Sequence, residues 1–129
     1  MNDPTASDSK LFEISPDGSR AMIRYRMTGF WDESSYARFH DAILLEMRKF
    51  HARGAPFDLL GDLTEYPPQP QKLNDARERL VQEARAMGLR KCGVVTANSI
   101  VKLQLSRLSS QFYAFFTSEA EALAWIDLP

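Results

Sequence analysis

The first third of the chain alternates between apolar and polar residues and then changes to a helical spacing. Residues 20–28 place apolar side chains at every second position, and this period of two predicts a strand. An apolar run at 11–14 precedes it, and the turn-forming residues 15–19 lie between the two. This pattern predicts an N-terminal β-hairpin.

After residue 32 the apolar residues recur at steps of three and four, which predicts helices. The first helix follows Asp32, a residue type that caps helix N-termini, and Gly54 ends it. A second helical stripe begins at residue 73 and ends before Gly88. A Ser-Glu-Ala-Glu capping box that starts at Ser118 opens a closing helix.

Apolar runs between these helices predict the remaining strands, at residues 57–64, 92–96 and 113–116. With a third helix at 99–111, the predicted order is ββαβαβαβα. Strands that alternate with helices of this length pair in parallel through right-handed crossovers. We therefore predict one α/β domain over residues 11–129, with a mostly parallel sheet of five strands, an antiparallel N-terminal hairpin and four helices.

The segment 99–111 fits two patterns. Val101, Leu103 and Leu105 alternate with polar residues as in a strand, but the step from Val101 to Leu105 also fits a helix. We favour the helix, because only two residues separate it from the preceding strand and neither is the glycine that a tight hairpin needs. On a helix, Ile100 and Leu103 form a second apolar face. This face predicts a second interface, with another copy of the chain, a ligand or a membrane edge, unless the helix start is misplaced.

Composition narrows the function classes. The chain has 129 residues, with 16 Lys and Arg against 17 Asp and Glu and a net charge of −1, which disfavours a nucleic-acid or membrane-surface binder. Its single cysteine excludes an intramolecular disulfide framework. No apolar run approaches the ~18 residues of a membrane-spanning helix. Residues 1–10 are polar, are predicted to be disordered and lack a secretion signal, so we expect a cytoplasmic protein.

Several segments resemble the SpoIIAA-like group, which is related to the STAS domains of anti-sigma-factor antagonists. The resemblance runs over nearly the whole chain from Leu11 and is carried by the hairpin, by Met-Thr-Gly-Phe-Trp at 27–31, by Asp-Leu-Thr at 62–64 and by Glu-Ala-Leu-Ala-Trp-Ile at 121–126. It implies a small non-enzymatic domain without a cofactor. Such a domain binds a protein partner or, as in the related CRAL-TRIO proteins, an apolar small molecule.

The chain departs from the STAS pattern at its switch. STAS antagonists are phosphorylated on a serine in an Asp-Ser-(Ser/Thr)-Gly motif, which begins the helix that follows the strand equivalent to residues 57–64. In this chain, residues 65–70 at that place are Glu-Tyr-Pro-Pro-Gln-Pro and include no serine. Thr64 is the remaining candidate phosphoacceptor, because Thr64 and Tyr66 carry the only hydroxyls between residues 57 and 80. A phosphate on Thr64 would repel Glu65 and is predicted to loosen this edge of the domain.

The proline-rich connector at 64–70 is the most informative candidate for a binding site. Prolines fix φ and stiffen the loop, and this loop lies at the carboxyl end of a parallel strand, where open α/β sheets place ligand crevices. Aromatic rings would supply contact area there, and hydroxyl and amide groups would fix orientation. The predicted binding site comprises Trp31, Thr64, Glu65, Tyr66, Asn98 and Ser99. The alternative is that the three prolines only direct the chain into the second helix.

Other chemistry has weaker support. His40 and His51 lie ~16 Å apart along one helix and cannot share a metal ion. Both flank the apolar stripe of that helix, so each is expected to be partly buried with one hydrogen bond. Cys92 is expected to be a buried structural thiol. We therefore predict no catalytic residue and no metal site. The remaining alternatives are a carrier of a lipophilic molecule, which needs an apolar cavity, and a small hydrolase or isomerase that uses Asp62 or His40.

The carboxylates Asp58 and Asp62 share one face of the third predicted strand, and Arg24 and Arg26 share a face of the second. If these strands are neighbours, opposite charges lie across the sheet and stabilise it by roughly 0.2–1 kcal/mol per pair. Such pairing would remove the support for Asp62 as a catalytic group.

Overall fold

A computed structural model describes residues 11–108 and 112–129, without the side chain of Leu108, so the prediction for the tail at 1–10 lies outside the described residues. A 3₁₀ turn, Gln71–Leu73, precedes the second α-helix. The strands are β1 (Phe12–Asp17), β2 (Met22–Met27), β3 (Phe57–Asp62), β4 (Leu89–Val95) and β5 (Tyr113–Phe116). The α-helices are α1 (Glu33–Ala52), α2 (Asn74–Ala86), α3 (Ser99–Leu108) and α4 (Glu119–Asp127).

The strands form one five-stranded sheet in the order β1-β2-β3-β4-β5. β1 pairs antiparallel with β2, and every other neighbouring pair is parallel. The predicted element order, hairpin and mostly parallel sheet are therefore confirmed. Since β2 to β5 are parallel, their carboxyl ends meet at one edge of the sheet.

The sheet separates two apolar clusters because consecutive strand residues point to opposite faces. Ile23, Leu59 and Val94 face the main core, where α1, α2 and α3 cover them. Their neighbours Met22, Leu60 and Val95 face the other side, where they pack against Ala122 and Ile126 of α4. One helix covers only part of that second face.

The predicted helix boundaries have the expected local causes. The Asp32 carboxylate accepts from the Ser35 amide, and the Ser35 hydroxyl accepts from the Asp32 amide, which completes a capping box. Gly54 follows α1 in the left-handed region, with φ of 66°. The Ser118 hydroxyl accepts from the Glu121 amide and begins α4.

The ambiguous segment is a helix, as predicted. The Asn98 side chain accepts from the amides of Ile100 and Val101 and caps α3. Val101 is buried, whereas Ile100 and Leu103 are 56% and 50% exposed. Helix α3 therefore has the predicted second apolar face, formed by Ile100 and Leu103. Residues 109–111 of the predicted helix lie outside the described residues.

The predicted opposition of charges across β2 and β3 holds for one pair, since Arg24 lies opposite Leu60 and Asp58 lies opposite Met22, and the ion pairs are formed with other residues. Arg26 lies opposite Asp62 in the register of β2 and β3. Arg26 instead forms ion pairs with Glu13, its partner in the register of β1 and β2, at 2.9 Å and with Glu65 at 3.8 Å. Asp58 pairs with Arg90 of β4 at 2.9 Å.

Gly61 of β3 allows the Tyr25 ring to lie flat against the strand. A Cβ atom on Gly61 would lie 2.4 Å from Cζ of Tyr25, which packs on Phe39 with ring centroids 5.7 Å apart. Gly61→Ala should therefore lower the free energy of unfolding by about 1–3 kcal/mol, measured by urea denaturation. Gly18→Ala is the control, because nothing lies within 4 Å of its added Cβ. Equal, small effects of the two substitutions would contradict this packing.

Candidate functional site

The candidate site lies at the edge where the parallel strands end, which we call the strand-end edge and define as residues 28–31, 63–70 and 96–99. Backbone hydrogen bonds join its segments beyond the regular sheet. The Gly29 amide donates to the carbonyl of Glu65 at 3.2 Å, and the Leu63 amide donates to Val95 at 2.9 Å. The topology thus brings the predicted site residues to one edge, as the sequence indicated.

Gln69 is the residue that holds this edge together. Its side chain is buried, with 4% of the residue exposed. Oε1 accepts from the Trp31 amide, and Nε2 donates to the carbonyls of Gly29 and Pro67, each at 2.9 Å. One side chain therefore satisfies groups of two loops that have no regular partner. Gln69 lies in the proline-rich connector, and no pattern in the sequence predicts this role for it.

The backbone of Gln69 also connects the connector to α3. Its amide donates to Oε1 of Gln104 at 3.0 Å, and its carbonyl accepts from Nε2 of Gln104 at 2.9 Å. The side-chain amide of Gln104 thus bonds both backbone groups of Gln69, as a residue on a neighbouring β-strand would. The connector is therefore held on both sides, by the 28–31 loop and by α3.

Trp31 and Tyr66, which the sequence predicted to supply apolar area at the site, are core residues only 3% exposed. Their rings meet edge-on with centroids 6.3 Å apart. Nε1 of Trp31 donates to the Thr28 carbonyl at 2.8 Å, and the Tyr66 hydroxyl accepts from Arg77. Both polar tips are satisfied inside the protein, so these rings support the edge from beneath.

The other four predicted residues, Thr64, Glu65, Asn98 and Ser99, are exposed. Asp62 accepts from the amide of Thr64 at 3.0 Å and from its hydroxyl at 2.7 Å. Glu65 lies 3.8 Å from Arg26. The edge thus presents fixed hydroxyl and carboxylate groups to solvent.

Apolar groups are exposed beside these polar ones. Phe30 is 77% exposed, although the two residues that flank it are held by Gln69. Leu103 precedes Gln104, which pairs with the backbone of Gln69. The same hydrogen-bond network therefore links the backbone on both sides of Phe30 to the Gln104 side chain of α3. The sequence did not predict Phe30 as a site residue, because an aromatic residue next to Trp31 is equally typical of a buried core position.

A polar recess of about 380 Å³ lies beside the edge, on the part of the sheet that α4 leaves uncovered. Its charged groups pair with one another: Arg24 with Glu119, and Arg26 with Glu13. Asp62, which lines it, accepts from Thr64. The groups that could carry acid–base chemistry are engaged in structural contacts.

Three further side chains, Cys92, His40 and His51, could carry chemistry by residue type. Burial raises the pKa of the Cys92 thiol to about 12, so the thiol stays protonated and unreactive, as expected. His40 is partly buried and lies 2.7 Å from Glu83, which confirms its prediction, whereas His51 is exposed at the end of α1, so its predicted burial is wrong.

Metal ligation and membrane crossing find no support in the described part of the chain. Within residues 11–108 and 112–129, no three His, Cys, Asp or Glu side chains are grouped closely enough to hold a metal ion. None of the helices described there is both long enough and apolar enough to cross a bilayer.

Removal of the Gln69 side chain should destabilise the protein. Gln69→Ala leaves the Trp31 amide and two carbonyls without a protein partner, and we expect a loss of about 2–3 kcal/mol in the free energy of unfolding. Urea denaturation measures it. Gln71→Ala, at an exposed position two residues later, is the matched control and should change little. A loss below about 0.5 kcal/mol for Gln69→Ala would show that water replaces these hydrogen bonds without cost.

Comparison with known proteins relates this architecture to solved structures, although no protein-family model and no curated protein matches the chain. An uncharacterized protein of the DUF3478 family with a SpoIIAA-like fold, from Shewanella loihica PV-4, superposes with a TM-score of 0.66 at 16% identity, over 89% of this chain and 93% of that one.

Two further structures superpose with TM-scores of 0.57. The Bacillus cell fate determinant SpoIIAA in its phosphorylated form is 13% identical over 89% of this chain and 98% of its own. An anti-sigma factor antagonist from Mycobacterium paratuberculosis is 15% identical over 98% of both chains. At these identities the likeness concerns architecture, and it confirms the predicted resemblance: the chain has a SpoIIAA-like fold.

Proposed function

We propose that this protein is a non-enzymatic regulatory domain that binds a protein partner through the strand-end edge. The observation that carries the proposal is the fixed exposure of Phe30, Ile100 and Leu103 beside polar groups on a connector that Gln69 holds rigid. A preorganised surface of this kind loses little conformational entropy when it binds. One protein of the same fold is named an anti-sigma factor antagonist, which supports a regulatory partner.

The proposed contact surface combines an apolar centre with a polar border. Phe30 supplies an aromatic anchor of the kind that dominates interface energetics, and Ile100 and Leu103 extend the apolar area. Thr64, Glu65, Asn98 and Ser99 lie in the neighbouring segments and provide hydrogen-bonding groups. The single thiol, Cys92, fits a reducing compartment, and we propose that the domain acts in the cytoplasm.

The two rival functions have less support. A lipophilic carrier needs a pocket of roughly 300–1,000 Å³, whereas the apolar cavity between the sheet and the helices measures about 50 Å³. Native mass spectrometry separates these functions, because a carrier would retain a lipid through purification. A hydrolase or isomerase would use Asp62 or His40, and both side chains make contacts within the protein: Asp62 accepts from Thr64, and His40 is bonded to Glu83 of α2.

Site-specific photo-crosslinking tests the docking surface. A photoreactive residue in place of Phe30 or Leu103 should crosslink the same partner protein in cells, because both side chains belong to the proposed docking surface. Leu45 of α1, 54% exposed, is the matched control and should not yield that product. Identical products at positions 30, 103 and 45 would contradict the proposal. A product of twice the chain mass would assign this surface to a homodimer instead.

We further propose that Thr64 is a phosphorylation site that regulates this edge. Its hydroxyl is exposed and donates to Asp62, so a phosphate would break that bond and place about −2 charges beside Asp62 and Glu65. A neighbour of the same fold was solved in a phosphorylated form. We expect the modification to loosen the connector and weaken partner binding.

Incubation with kinases from cells, followed by phosphosite mapping by mass spectrometry, tests this role. We expect modification of Thr64 in the wild type and none at that position in Thr64→Val. The Thr64→Asp variant should reproduce the loss of crosslinking at position 30, and Thr64→Val should retain it. Modification confined to the hydroxyls of residues 1–10 would refute the proposal.

A further inference from the structure

Arg77 is a buried cation without an anionic partner. It lies on α2, is 4% exposed and lines the interior cavity of about 50 Å³. It donates one hydrogen bond to the Tyr66 hydroxyl, and its guanidinium carbon lies 5.6 Å from the centroid of the Tyr66 ring. Among the described residues no carboxylate forms an ion pair with it, although buried arginines are almost always paired.

Tyrosine hydroxyls surround the same cavity. Tyr36, Tyr66 and Tyr113 line it together with Arg77, and the positive charge of Arg77 acts on all three. Burial raises the pKa of each phenol above its ordinary value despite that charge, so each remains a protonated donor near neutral pH. Within the described residues the hydroxyls of Tyr36 and Tyr113 form no hydrogen bond. Because no fully buried side-chain oxygen there lacks a partner, both hydroxyls are open to the cavity space.

The rest of the cavity wall is mostly apolar, apart from Tyr25 and Cys92, whose hydroxyl and thiol lie 3.8 Å from each other. Ile43, Met47 and Leu59 from α1 and β3 contribute to it. An apolar wall strengthens any electrostatic contact inside, because little water screens it. One cation, neutral hydroxyl donors and a small apolar space together match a small organic anion with one negative charge.

We propose that this cavity binds a short-chain monocarboxylate, with its carboxylate on Arg77 and the hydroxyls of Tyr36 and Tyr113 and its alkyl end against Met47 and Leu59. A planar carboxylate matches the fork of a guanidinium and can accept two parallel hydrogen bonds. A volume of about 50 Å³ limits the ligand to a few heavy atoms. The cavity lies beneath the strand-end edge, with Leu63 and Tyr66 in its wall, and the proposed ligand does not depend on the docking function.

Thermal denaturation of the extensively dialysed full chain tests the proposal, with acetate, propionate and butyrate as probes. Sodium chloride at equal ionic strength and uncharged propionamide are the controls. We expect at least one carboxylate to raise Tm saturably, by roughly 5 °C at ten times its Kd, and the controls to have no such effect. Absence of a saturable shift with all three carboxylates would overturn the proposal.

Substitutions assign the effect to the cavity. Arg77→Met should abolish the carboxylate response while the Tm without ligand stays equal or rises, because the variant removes an unpaired buried charge. Arg79→Met, at an exposed position of the same helix, should retain the full response. A carboxylate response that persists in folded Arg77→Met would place the anion elsewhere and refute the assignment.

Phenylalanine variants provide a test that is independent of the arginine. Tyr36→Phe and Tyr113→Phe keep the ring and remove one donor each, so each should weaken carboxylate binding about fivefold in isothermal titration calorimetry. Unchanged affinity in both variants would show that the hydroxyls do not contact the ligand and would overturn the proposed geometry.

Discussion

The buried amide of Gln69 is the interaction on which the strand-end edge depends. The loops after β2 and β3 leave backbone groups without sheet partners, and buried groups of this kind are costly unless they are satisfied. Gln69 offers both a donor and an acceptor and meets groups of the two loops at once. The backbone amide and carbonyl of Gln69 form hydrogen bonds with the Gln104 side chain. The 28–31 loop, the connector and α3 therefore form one hydrogen-bonded unit.

This constraint explains how an exposed apolar surface coexists with an ordered fold. Phe30 lies between two residues whose backbone groups are bonded to Gln69, so the chain holds it outward although burial would be favourable. Trp31 and Tyr66 support the surface from within, and the prolines of the connector restrict φ. A protein that acts by shape requires this rigidity, because a mobile surface would lose entropy on binding.

Periodicity was sufficient to predict the architecture, since element order, parallel pairing and helix caps depend on local patterns such as the alternation in β2 and the Asp32 cap. It also located the edge, because carboxyl ends of parallel strands always meet. Burial within the edge could not be predicted: Trp31 and Tyr66 are amphipathic, and only their partners Thr28 and Arg77 decide that they lie inside. The role of Gln69 depends on contacts 35 or more residues away, which no local pattern encodes.

Site-resolved amide hydrogen exchange of Trp31 tests most directly whether Gln69 holds the edge rigid. The account predicts slow exchange in the wild type and faster exchange at Trp31 in Gln69→Ala, beyond the change at core amides of β3, with wild-type rates retained in Gln71→Ala. If Trp31 in Gln69→Ala exchanged no faster relative to the β3 amides than it does in the wild type, the edge would owe its order to something else. The proposed preorganised surface would then lose its physical basis.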